Sequence, residues 1–124
     1  MAQSTTTLEL LPLTVYGTPS GNYDGSSTDF NGDRAIAASY YRVANEQTLR
    51  FDLNDFRGVI KVQATLDDDP NSDDHHWFTV YTTPEGEGAV TMFGSVNVRG
   101  NFTWMRCKVI GFDGGTINFF NIVY

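Results

Sequence analysis

The sequence predicts an all-β fold, an antiparallel β-sandwich of jelly-roll type with about eight strands. Three observations carry that prediction. Apolar and polar residues alternate with period two in several runs, and β-branched and aromatic residues gather in those runs. Gly, Asp, Asn and Pro fall between most of them. A chain of 124 residues makes one domain, 1–124. At that size it buries roughly two-thirds of its unfolded surface. Nine Phe, six Tyr and two Trp supply an ample core.

Residues 1–7 are rich in Ser and Thr and read as an N-terminal arm, followed by a first strand at 8–16 ("LELLPLTVY"). The connection 17–33, "GTPSGNYDGSSTDFNGD", is too polar and glycine-rich to be core. It is also longer than an ordinary connector, as expected of a functional loop or of one ordered by a neighbouring subunit. The run 34–43 ("RAIAASYYRV") reads as a strand, with a short helix as the alternative because it contains good helix formers.

The strand at 47–53 has clean parity, with Leu49, Phe51 and Leu53 opposite Thr48, Arg50 and Asp52. In 57–66, Ile60, Val62, Ala64 and Leu66 oppose Val59, Lys61, Gln63 and Thr65. One face is buried and the other wet, as antiparallel sheets allow. Further strands are expected at 76–83, 89–98, 102–110 and 115–124. "RGN" at 99–101 and "DGG" at 113–115 read as turns, with glycine supplying positive φ. The closing "NFFNIVY" has no charge and no proline, so it reads as an unprotected edge strand. Phe119 and Phe120 fall on opposite faces of it, and the core can hide only one. Phe119, Phe120 and Tyr124, with Tyr23 and Phe30 from the long loop, are therefore the interface candidates.

Eight basic against fifteen acidic residues give a net charge of −7, with no Lys/Arg stripe to offset it. Phosphate backbones and anionic membranes are repelled, so neither nucleic acid nor membrane is an expected partner. The opening "MAQSTTTLELL" has neither the basic region nor the apolar run of a signal peptide, which suggests synthesis in a reducing cytoplasm. Cys107 is the single cysteine, which excludes an internal disulfide and a multi-cysteine zinc site. Parity sets it between Met105 and Val109 on the core face, as an inert buried thiol. Trp104, Arg106 and Lys108 lie opposite, and Arg106 is expected to stack on Trp104 or pair with an acid.

The stretch "DDDPNSDDHHWF" (67–78) packs five carboxylates and two imidazoles into ten residues. Asp67, Asp69 and Asn71 have the opening spacing of an EF-hand loop, but Ser72 stands where Gly is needed and Phe78 where a bidentate Glu should be. Asp67, Asp69, Asp73 and Asp74 remain as calcium candidates for an irregular site only. His75 and His76 are adjacent, so in a strand they point to opposite faces and do not share a zinc ion. No nucleophile motif is present, and carboxylates in one polar loop stay solvated and ionised. The stretch reads as a turn between strands, its charges discouraging edge aggregation. No cofactor and no catalytic residue are expected. Trp77 and Trp104 are expected in the core, with a sugar-stacking platform as the alternative. Tyr16, Tyr23, Tyr40, Tyr41 and Tyr81 could contribute to such a platform.

Two segments, "FRGVIKVQATLDDDPNSDDHHWFTVY" (56–81) and "VRGNFTWMRCKVIGFDGGTINFFNIVY" (98–124), cover 53 of the 124 residues. Together they resemble small β-sandwich virion proteins of tailed bacteriophages, of the type found in phages of marine cyanobacteria. The resemblance implies a non-enzymatic structural protein of the tail, baseplate, fibre or head accessory layer. Its partners would be copies of itself and other virion proteins, and its site the virion after synthesis in the host cytoplasm. A carbohydrate-binding module taking a host-surface glycan is the alternative, since jelly-roll sandwiches often carry such sites.

Overall fold

The computed structural model describes residues 6–40, 45–68, 70, 76–84 and 88–124. Every regular element among them is a strand: β1 (Thr7–Leu11), β2 (Thr14–Val15), β3 (Phe30–Asn31), β4 (Ala35–Ile36), β5 (Glu46–Thr65), β6 (Phe78–Thr82), β7 (Val90–Arg99) and β8 (Trp104–Val123). All pairings are antiparallel, and the strands form one eight-stranded sheet. The chain is all-β.

Two long strands, β5 and β8, run side by side through the middle. Their pairing extends from Thr48↔Val123 to Thr65↔Trp104. The pairs expected as separate strands, 47–53 with 57–66 and 102–110 with 115–124, are thus each one continuous strand. What looked like turn chemistry between them is a bend. The register slips at Asp52/Leu53, Asn54/Arg57 and Arg57/Val59. Asp55 has φ 51° and Gly115 φ 84° at the same level. Extra residues in one strand of a ladder kink it and increase its twist, so the long ribbon folds over here.

The bend divides the sheet into two halves. In one, β7 and β1 with β2 flank the first part of β5 and the last part of β8. In the other, β6 flanks the later part of β5, and β3 with β4 flank the start of β8. The halves face each other across a single core. Phe51 of the β7 half stacks on Phe120, with ring centroids 4.9 Å apart, and meets Tyr81 of the β6 half at 6.0 Å. At one side the halves touch: a Cβ added to Gly32 would sit 2.3 Å from the Leu10 carbonyl oxygen.

Parity places the core. Leu49, Phe51 and Leu53 point inward, then Ile60, Val62 and Ala64, and on β8 Met105, Cys107, Val109, Phe112, Ile117, Phe120 and Ile122. The inward parity along β8 changes three times, from odd to even by Phe112, back to odd at Ile117 and to even again at Phe120, as the three register slips require. Leu66, expected on this face, is 61% exposed because β5 ends at Thr65.

Three other expectations are corrected. The closing strand is no edge: the last part of β8 lies between β1 and β5, so its uncharged sequence is that of an interior strand. The run 34–43 is neither a long strand nor a helix, but two residues of β4 followed by a turn in which Tyr40 N–H donates to the Ala37 carbonyl; 41–43 lie outside the described residues. The polar connection 17–33 also contributes to the core. Tyr23 is 1% exposed and packs on Phe30 and Phe112. Its hydroxyl accepts a bond from Gly17 N–H at 3.0 Å, which makes that burial tolerable. At the N-terminus, residues 1–5 of the expected arm lie outside the described residues, while Thr6 exchanges backbone bonds with Tyr124.

Candidate functional site

Two outer faces carry chemistry. On the β6 half, parity turns Trp104, Arg106 and Lys108 of β8 outward beside Lys61 and Gln63 of β5. Lys61 and Lys108 are directly opposite, as are Gln63 and Arg106. Arg106 is 3% exposed; its Nε donates to Gln63 Oε1 at 2.9 Å and its guanidinium lies 4.5 Å from the Trp77 ring. The stacking partner is thus Trp77 rather than Trp104. Trp104 is covered instead by Arg34, 4.3 Å from its ring, and Arg34 also donates to the Pro70 carbonyl. Neither tryptophan lies in the inner core. Both are on the outer face, Trp77 buried and Trp104 half-buried.

The described part of the acidic stretch is a strap across this face. Trp104 Nε1 donates to the Asp68 carbonyl at 2.9 Å, and Thr103 Oγ1 to the Asp67 carbonyl at 2.6 Å. Asp67 Oδ2 is 2.5 Å from His76 Nδ1, an exposed pair within the same segment. Of the calcium candidates, Asp67 is held in this way, and Asp69, Asp73 and Asp74 lie outside the described residues, as does His75. Among the described residues no three His, Cys, Asp or Glu side chains converge. Beside the strap opens a cavity of about 400 Å³ lined by Asn22, Asn31, Asp33, Arg34, Trp77 and Arg106. The Asn22 amide donates to the Asn31 carbonyl and to Asp33 Oδ1, each at 2.9 Å, which fixes this polar wall.

The second face is the outside of the β7 half. Asp52 of β5 pairs with Phe93 of β7 on one side and Phe119 of β8 on the other, so the three form a row across the sheet. Arg50 lies two residues along β5 on the same face. Its guanidinium is 5.0 Å from the Phe93 ring and 5.2 Å from the Phe119 ring. The two rings meet edge to face at 6.1 Å, and Phe93 is 60% exposed.

The interface candidates therefore separate. Phe119 is half-buried on this outer face, while Phe120 is fully buried opposite it. Tyr23 is core, and Phe30 packs half-buried against the core. Tyr124 is tied down within the chain, its hydroxyl donating to the Ile36 carbonyl at 2.8 Å. Phe93 and Arg50 were not among the candidates. The signal for Phe93 was a lone phenylalanine on the polar side of 89–98, alternating with Met92, Gly94 and Val96.

Compared with family models, curated proteins and solved structures, the chain matches none.

Proposed function

We propose that this chain is a non-enzymatic structural subunit of a tailed-phage virion, working in repeated copies through surface complementarity. The observation that carries an assembly role is the Phe93–Arg50–Phe119 cluster on the outside of the β7 half. Aromatics and Arg dominate the centres of protein interfaces, because they bury much area at little entropic cost. Covering the exposed 60% of Phe93 would contribute about 1–2 kcal/mol. The phage setting rests on the resemblance of 56–81 and 98–124 to virion proteins. The test compares three variants for folding and for incorporation into particles. Phe93→Asp and Phe119→Asp should fold normally and fail to incorporate. Phe120→Asp should not fold, since it buries an unpaired carboxylate in the core. Normal incorporation of both outer-face variants would overturn the reading.

A second reading, a carbohydrate-binding module for host attachment, is favoured by the polar cavity beside the strap. Its volume of about 400 Å³ suits a sugar residue, and Asn22, Asp33 and Arg34 offer donors and acceptors for hydroxyls. Glycan-array binding lost on Asp33→Ala would support it.

A further inference from the structure

Strand β7 pairs with β5, and among the described residues no strand lies on its other side. The ladder fixes which of its groups are bare. Gly100 N–H donates to the Asn45 carbonyl, in the register that pairs Glu46 with Arg99 and Phe51 with Gly94. Antiparallel ladders alternate residue by residue. The backbone groups of Met92, Gly94, Val96 and Val98 therefore point to β5, and those of Thr91, Phe93, Ser95, Asn97 and Arg99 point away from the sheet. These five residues also have exposed side chains, and among the described residues no backbone bond outside the ladder reaches them. The strand is ten residues long and lacks proline, and its single charge, Arg99, stands at its end. Edges of this kind are normally blunted by charge, proline or a bulge.

We propose that a second copy of this chain pairs with this edge, β7 to β7, antiparallel about a two-fold axis through Ser95. That register uses every outward group from 91 to 99. It sets Phe93 opposite Asn97 of the second copy and Thr91 opposite its Arg99. Arg99 is paired with Glu46 of its own chain at 3.1 Å. Thr91 Oγ1 lies 3.4 Å from the Asp55 carboxylate, so the antiparallel register brings each Arg99 near a second acid, Asp55 of the other copy. Parallel pairing would instead bring the two Arg99 side chains together. The two-fold closes the contact as a dimer and brings two Phe93–Arg50–Phe119 clusters onto one extended face. The inference rests on the assembly role proposed above and names the partner.

The test is the mass of the full chain in solution, by light scattering over a concentration series. The wild type should approach twice the 13.8 kDa chain mass. Ser95→Pro removes an N–H that points away from β5, so the domain should keep its melting temperature and become monomeric. Ser95→Lys keeps the N–H and sets two ammonium groups at the axis. It should weaken the dimer by about tenfold or more, with recovery in salt. If the proline variant misfolds, the lysine variant decides. A wild type that stays monomeric, or a folded lysine variant that dimerises normally in low salt, would overturn the pairing. Loss of partner capture by Ser95→Pro with none by Ser95→Lys would mark a strand from a different chain, and would also overturn it. Monomeric wild type combined with loss of particle incorporation in Phe93→Asp would end the self-pairing and leave the assembly role standing.

Discussion

Cys107 lies fully buried on the core face of β8 with Met105 and Val109, and burial pushes its thiol well above the ordinary pKa. A protonated thiol shielded in this way reacts slowly. Cys107→Ser should destabilise the domain by about 1–3 kcal/mol, because a hydroxyl enters an apolar site. Urea unfolding measures that loss, and the native wild type should resist labelling by a thiol reagent until it unfolds. Asp24 shows the opposite displacement. Backbone N–H groups of Ser26 and Ser27 donate to its carboxylate, at 2.9 and 2.7 Å, and hold its pKa near about 2 against an ordinary 3.8. The sign follows from linkage: a carboxylate whose pKa is depressed by folding stabilises the fold fully above its unfolded pKa. That contribution fades as pH falls from about 4 through about 2. Melting temperatures across that window should fall more for wild type than for Asp24→Asn, which has no carboxylate to protonate. Parity made Cys107 legible in the sequence. The Asp24 turn was not, because short-range bonds from one carboxylate leave no periodic trace.

At the level of elements, the bend in β5 and β8 decides the fold. Gly115, with φ 84°, faces the β5 bulge so closely that an added Cβ would lie 2.1 Å from the Asp55 carbonyl oxygen. Gly115→Ala should therefore cost about 2–4 kcal/mol, combining left-handed strain with a backbone clash. Denaturant unfolding checks this. Retention of wild-type stability would mean that the bend is formed differently. The same bend marks where sequence reading stopped. Asp55, Gly58 and "DGG" at 113–115 carry the chemistry of turns, and residues with positive φ serve turns and bulges alike. Period two located the buried faces of 47–53 and 57–66, yet it could not show that one strand runs through both. Nor could it show that "NFFNIVY" is interior, since pairing partners are set by topology. Phe119 could be placed by parity because it adjoins Phe120. Phe93 escaped notice because one aromatic among Thr91, Ser95 and Asn97 looks incidental until Asp52 aligns it with Phe119.

At the scale of the molecule, charge and apolar exposure are unevenly distributed. The chain carries a net charge of −7, yet the outside of the β6 half gathers Arg34, Arg106, Lys61 and Lys108 on one face. The outside of the β7 half instead leaves an aromatic pair clamped around one arginine, next to a strand edge that no described strand pairs with. A folded domain gains little by leaving Phe93 in water; a subunit gains by covering it. The most direct measurement of the proposed role is a side-chain-resolution reconstruction of the particle in which the chain is proposed to assemble. Phe93, Phe119 and Arg50 should be buried against a neighbouring subunit. Their full exposure to solvent in the assembled particle, or the absence of the chain from it, would contradict the assembly role.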